Sequence, residues 1–185
     1  MNLTEEANLA GCCGLYCGLC TKYQSRAPSR CIGCLGKQRS WCSIYRCCVM
    51  KRGFVICIEC DEYPCERYAR RGWGGDWQSR TAQENLETTR EVGLETWLRG
   101  QRERRLLLEN LLDNYNDGRS MSFYCMAAAV MPMELVGKAV DEMLASTQGD
   151  DLDMTAKAKA LRAIIEDLAL KSGIDLKLRS KPRER

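Results

Sequence analysis

The 185-residue sequence contains no histidine. That absence excludes a Cys-His protease, a Ser-His-Asp hydrolase, a His-Glu zinc deaminase and a mixed Cys/His zinc finger, because each needs an imidazole as base or ligand. Any metal must therefore rest largely on thiolates. No apolar run approaches the ~20 residues of a membrane span, and Met1–Ala10 lacks the basic start and greasy stretch of a secretion signal. A cytoplasmic protein without a membrane anchor is expected. A Gly-rich phosphate loop is also missing, and the carboxylates are scattered without a spacing suited to acid–base work, so no catalytic residue is assigned.

Cysteine is what the chain has in abundance. Of thirteen, twelve fall in the 54 residues from Cys12 to Cys65, and only Cys125 lies outside. In a reducing compartment, clustered thiols are ligands far more often than disulfides. Three C-x2-C pairs, Cys17/Cys20, Cys31/Cys34 and Cys57/Cys60, have the gap that lets two sulfurs converge on one tetrahedral ion. Gly18, Gly33 and Gly36 accompany the first two pairs, where the backbone of a knuckle turns back toward its sulfurs. The third pair lacks such a glycine. Asp61 is placed to cap a short helix beginning at Cys65.

Cys17, Cys20, Cys31 and Cys34 form one natural four-thiolate set, and Cys42, Cys47, Cys57 and Cys60 a second. Cys13 and Cys65 can replace a member of either, or join a third site with Cys48. Cys12 and Cys48 each adjoin another cysteine, and neighbouring side chains rarely reach one ion, so Cys12 is set aside as a ligand. Structural zinc is the leading metal, and a 4Fe-4S cluster on the same thiolates is the alternative. Cys13, Cys17 and Cys20 have the C-x3-C-x2-C spacing of radical enzymes that use S-adenosylmethionine. Such enzymes need a strand–helix barrel of ~200 residues or more, and no barrel pattern follows. The ferredoxin run C-x2-C-x2-C-x3-C-P is absent as well.

Residues 1–71 carry eleven Lys/Arg and six Asp/Glu, formally +5. Each divalent ion on four thiolates contributes −2, so two sites bring the sum to +1 and three to −1. The basic clusters Lys37/Arg39, Arg46, Lys51/Arg52 and Arg67/Arg70/Arg71, with Trp41, Tyr45, Phe54 and Tyr68 nearby, are read as solvated faces and small-core aromatics. Nucleic-acid binding is the less favoured reading, since no recognition helix stands out.

The composition changes at the Gly/Trp linker 72–80, whose Trp73 and Trp77 are expected to pin two parts together. A helical domain follows over 81–178, and 179–185 is a basic tail. Thr81 and Glu84 form a capping box opening a helix to Val92, ended by Gly93. Leu94, Trp97 and Leu98, then Leu108, Leu111, Leu112 and Tyr115, recur at helical spacing, with the stretch from Arg99 to Arg105 as a solvated face. Ser122 caps an apolar helix broken at Pro132, which resumes from Met133 to Ala145. The last helix runs from Thr155 to Ser172 and presents Leu161, Ile164, Ile165 and Leu168 on one face. Ile174, Leu176 and Leu178 alternate as an extended tail. Cys125 reads as a small core residue.

The ordered series Cys13-Gly-Leu-Tyr-Cys17-Gly-Leu-Cys20, Cys31-Ile-Gly-Cys34, Cys42-Ser-Ile-Tyr-Arg-Cys47 and Cys57-Ile-Glu-Cys60-Asp-Glu-Tyr-Pro-Cys65 resembles a family of small cysteine-rich domains of unknown function. Its members are common in anaerobic bacteria and archaea and open with Cys-Gly-Leu-x-Cys. The helical part resembles one branch through Gly118-Arg-Ser-Met-Ser-Phe-Tyr-Cys125. The resemblance implies that these ten cysteines between Cys13 and Cys65 are the ligands, with Cys12 and Cys48 as extras, and it favours iron–sulfur more than spacing alone does. Ten ligands exceed two four-thiolate sites by two, leaving a shared ligand, a redox pair or a site completed elsewhere. The expected architecture is a small irregular metal-stapled cysteine-rich module, 1–71, followed by a mainly α-helical domain. The expected function is non-enzymatic metal binding, with the helical domain as the surface for a protein partner.

Overall fold

The computed structural model describes residues 4–34, 41–70, 77–147 and 151–177. Trp73, Lys37, Arg39, Arg71, Gly36, the tail 179–185 and the side chain of Trp77 lie outside the described residues. Two compact units divide the chain between Glu103 and Arg104. Among the described residues the structure is helical, with an isolated bridge between Ala10 and Tyr16 and no strand. No helix among them is long and apolar enough to cross a membrane.

The first unit is built from short pieces. Helix α1 (Thr4–Leu9) leads into a loop closed by the Ala10–Tyr16 bridge, then a 3-10 turn (Cys17–Leu19), α2 (Thr21–Gln24), and α3 (Ser43–Tyr45) running into a π-helical turn (Arg46–Lys51). A second 3-10 turn (Cys57–Glu59) and α4 (Glu66–Ala69) follow. Cys65 itself occupies the cap position of α4, with Ala69 N–H donating to its carbonyl at 3.0 Å. Asp61 lies in the turn after Cys60, too far back to cap it, contrary to the sequence expectation.

Such short turns cannot stabilise themselves, so a longer helix supports them. Helix α5 (Trp77–Val92) buries Ala82, Leu86 and Thr89 at helical spacing. It begins a turn earlier than the Thr81 capping box predicts, because no helix breaker separates Trp77 from Thr81. Gly14 (φ +87°) carries the cysteine loop so close to this helix that a Cβ there would stand 2.0 Å from the Ala82 carbonyl oxygen. Asn85 seals the contact by donating to the Gly14 carbonyl at 2.8 Å. Glu6, 1 % exposed, accepts a hydrogen bond from Tyr16 and faces Arg102 at 3.9 Å. The Tyr16 ring in turn meets Trp97 edge-on at 6.0 Å.

Gly93 (φ +82°) ends α5, as expected, and α6 (Leu94–Tyr115) begins. The second unit comprises the rest of α6 with α7 (Met121–Val130), α8 (Met133–Ser146) and α9 (Met154–Lys171). Its core holds Leu108, Leu111, Tyr115, Phe123, Val136, Met143, Leu161 and Ile165, with Cys125 fully buried as a core residue. The Arg99–Arg105 stretch is not wholly solvated. Arg104 donates to the carbonyls of Ala128 and Met131 at 3.0 and 2.7 Å, satisfying orphan acceptors at the end of α7, and Arg105 is buried against Glu109 at 2.8 Å. The start of α7 also differs from expectation. Ser120, not Ser122, holds the cap position, and Asp117 accepts from both its N–H and its hydroxyl. At the far end, Gly173 (φ +69°) closes α9 in a Schellman arrangement, with Gly173 N–H on Leu170 and Ile174 N–H on Ala169. Residues 174–177 follow without forming a strand.

Candidate metal centre

None of the thirteen cysteines forms a disulfide. Among the described residues, one group brings three sulfurs mutually within 4.8 Å: Cys12, Cys48 and Cys57. Each comes from a different element. Cys12 sits on the loop after α1, Cys48 in the π-helical turn and Cys57 at the head of the second 3-10 turn. Backbone hydrogen bonds fix them: Cys57 N–H donates to the Cys12 carbonyl at 2.8 Å, and Phe54 N–H to the Cys48 carbonyl at 3.0 Å. Cys12 and Cys48 are 5 % and 4 % exposed and belong to a core cluster with Cys13, Ile44, Ile56, Tyr63, Tyr68 and Leu86. The π-helical turn matters here, since a widened turn re-aims side chains that an α-helix would hold on another face.

The three thiols share their protons. Hydrogen bonds from Cys12 and Cys57 hold Cys48 down to about 4, against the opposing effect of burial. Cys12 is pushed up by its hydrogen bond with Cys48, then by Cys57 and burial. Cys57 is pulled down by Cys12 but raised on balance by Cys48 and burial. Three sulfurs that hydrogen-bond to one another in a buried setting form a donor set in which a divalent cation can replace protons.

Five cysteines, Cys47, Cys48, Cys57, Cys60 and Cys65, border one small cavity of about 30 Å³. This is room for an ion or about two waters. Arg52 donates to the Cys60 sulfur at 3.0 Å and pairs with Glu62 at 2.6 Å. Tyr63, 9 % exposed, also lines the cavity, with its ring edge-on to that of Tyr68 at 4.9 Å. Cys42 caps α3 and packs against the same core cluster.

The set Cys17, Cys20, Cys31 and Cys34 is drawn together less tightly. Cys17 is pushed up by a hydrogen bond with Cys34 and then by burial, so these two thiols touch. No three of the four sulfurs reach the mutual spacing of the Cys12 group. Cys31 is tied to α2 through its N–H on the Lys22 carbonyl at 2.9 Å.

Sequence spacing predicts Cys57 as a partner of Cys42, Cys47 and Cys60; the structure instead groups it with Cys12, set aside as a ligand, and Cys48, left for a third site. The adjacency argument forbids both members of a Cys-Cys pair from reaching one ion, but it does not say which member faces inward. A signal for the local geometry does exist. Cys17-x2-Cys20-x2-Tyr23 and Cys57-x2-Cys60-x2-Tyr63 repeat the same turn, the second cysteine donating to the first at 3.0 and 3.1 Å and each tyrosine N–H to the second cysteine at 2.9 Å. The second copy makes this turn without a glycine. Gly18 serves another purpose, since a Cβ there would stand 2.5 Å from the Tyr16 ring. No family model, no curated protein and no solved structure matches the chain.

Proposed function

We propose that this is a non-enzymatic thiolate metal-binding protein whose first unit folds around structural zinc, with Cys12, Cys48 and Cys57 as the nucleus of one centre. The observation that carries the reading is the mutual approach of three sulfurs within 4.8 Å. Four thiolates at ~2.3 Å from one zinc stand ~3.8 Å apart, so a modest contraction closes the site. A four-iron cluster carries each thiolate on a different iron and spreads them farther. Cys60 and Cys65, which line the same cavity as Cys48 and Cys57 and adjoin no member of the trio in sequence, are the donors for the fourth corner. Burial among Ile44, Ile56 and Leu86 favours a structural ion over an exchangeable one. Cys17, Cys20, Cys31 and Cys34 form the second centre, supported by the Cys17–Cys34 contact.

One observation favours a second reading, an iron–sulfur cluster: five cysteines line a single cavity, and among the described residues no three of them come as close together as the trio. Anaerobic purification with metal analysis and a visible spectrum separates the two. Zinc in a colourless protein is the expected result, and chelation should then unfold the first unit while the helices of Arg104–Leu178 persist by circular dichroism. A brown protein containing iron and sulfide replaces zinc with the second reading. A metal-free protein that is fully folded reduces the trio to buried thiols packed as small apolar groups.

A further inference from the structure

Basic clusters that are separate in the sequence converge in the first unit. Arg46 and Lys51 on the π-helical turn, Arg52 just after it, and Arg67 and Arg70 on and after α4 line one groove of about 1010 Å³. Two carboxylates face these five cations, a surplus of three positive charges, and both are already engaged. Glu62 pairs with Arg52 at 2.6 Å and Glu66 with Arg70. Arg46, Lys51 and Arg67 are exposed, and none has an ion-pair partner among the described residues. Gathering like charges in a concave surface opposes folding and focuses the field on whatever anion enters.

The groove is not isolated from the thiols. Cys47, Arg52, Glu62, Cys65 and Arg67 line both it and the inner sulfur-bordered cavity, so the two adjoin. Arg52 already holds one electron-rich group, the Cys60 sulfur, at 3.0 Å. Guanidinium forks match phosphate oxygens in pairs, and Lys51 adds a point charge. Met50, 62 % exposed at the same groove, offers an adaptable apolar contact for a ring attached to the phosphates.

We propose that this groove binds a small phosphate-bearing polyanion of nucleotide size at the mouth of the thiol cavity. The site stands on the convergence of charge and does not depend on which metal the cysteines hold. Inorganic tripolyphosphate titrated calorimetrically into the full chain, as purified without oxygen, tests it. The expected result is one saturable site whose affinity falls at least tenfold in Arg46→Gln/Arg67→Gln, recovers in Arg46→Lys/Arg67→Lys, and is unchanged in Lys138→Gln on α8. Because Arg46 and Arg67 are exposed, these variants should keep the parent melting curve and metal content. Non-saturating heats, or equal weakening by Lys138→Gln, overturn the proposal. So does a single-stranded oligonucleotide that binds more tightly than tripolyphosphate and gains affinity with length, since that result assigns the groove to a nucleic-acid backbone.

Discussion

Two glycines of the first unit allow the support of the cysteine loop to be measured by difference. Gly14 (φ +87°) and Gly53 (φ +72°) both occupy the left-handed region, but a Cβ at Gly53 meets nothing within 4 Å, whereas at Gly14 it lies 2.0 Å from the Ala82 carbonyl oxygen and 2.8 Å from Leu86 Cγ. Gly53→Ala should therefore cost only the backbone term, about 1–2 kcal/mol. Gly14→Ala carries the same term plus overpacking against a helix backbone that cannot rotate away, about 1–3 kcal/mol more. For a unit of this size each kcal/mol lowers Tm by about 4–8 °C, so the two variants should melt roughly 5–20 °C apart. The effect should also reach the metal. Restoring ordinary contact requires the loop to retreat by roughly 1 Å, and the same loop carries Cys12 of the trio. Thermal unfolding followed by circular dichroism, with zinc content measured in parallel, provides the comparison. If Gly14→Ala melts with Gly53→Ala and keeps its zinc, the close approach to α5 does not position the centre.

Cys12→Ser and Cys48→Ser should each remove about one zinc per chain by mass spectrometry of the metal, whereas Cys125→Ala, in the core of the second unit, should lose none; retention of full zinc in both serine variants sinks the assignment of the trio. Arg104→Met strands the Ala128 and Met131 carbonyls and should destabilise the second unit by about 1–3 kcal/mol in urea titrations, the cost of buried acceptors left unpaired. An unchanged midpoint would show that these carbonyls find other donors. Asp117 is held below the ordinary carboxylate range by hydrogen bonds from the Arg119 N–H and the Ser120 hydroxyl. Its contribution is therefore present at neutral pH and lost as pH falls through its lowered value. Asp117→Asn should flatten that acid limb of the stability curve, and an unaltered limb would assign the dependence to other groups.

The long helices were legible because burial on one face leaves a period in the sequence. Leu108, Leu111, Leu112 and Tyr115, or Leu161, Ile165 and Leu168, mark their faces without knowledge of what covers them. Their starts were less legible. Thr81 and Ser122 have cap chemistry, but helix continues through Thr81, and Asp117 anchors the turn before α7 through Ser120. Capping residues compete, and the winner depends on where the preceding chain can go. The same limit applied to Arg104, whose role in closing α7 rests on carbonyls 24 and 27 residues away.

The cysteines posed a different problem, because a tetrahedral site has no period. Spacing finds pairs that share a turn, and Cys17/Cys20 and Cys57/Cys60 each bracket a 3-10 turn, whereas Cys31/Cys34 does not. It cannot find partners that meet through space, which is how Cys12, Cys48 and Cys57 come together from three elements. The two Cys-Cys dipeptides then change meaning. On an irregular backbone, successive side chains point to different sides, so each dipeptide can serve two surroundings at once. Cys48 joins the trio while Cys47 borders the basic groove. Cys12 joins the trio while the carbonyl of Cys13 accepts from Tyr68 at 3.1 Å. At Cys47-Cys48 the buried member is the one that joins the trio, whereas Cys12 and Cys13 are both buried in one core cluster, so there the partners that meet through space, and not burial, single out the ligand.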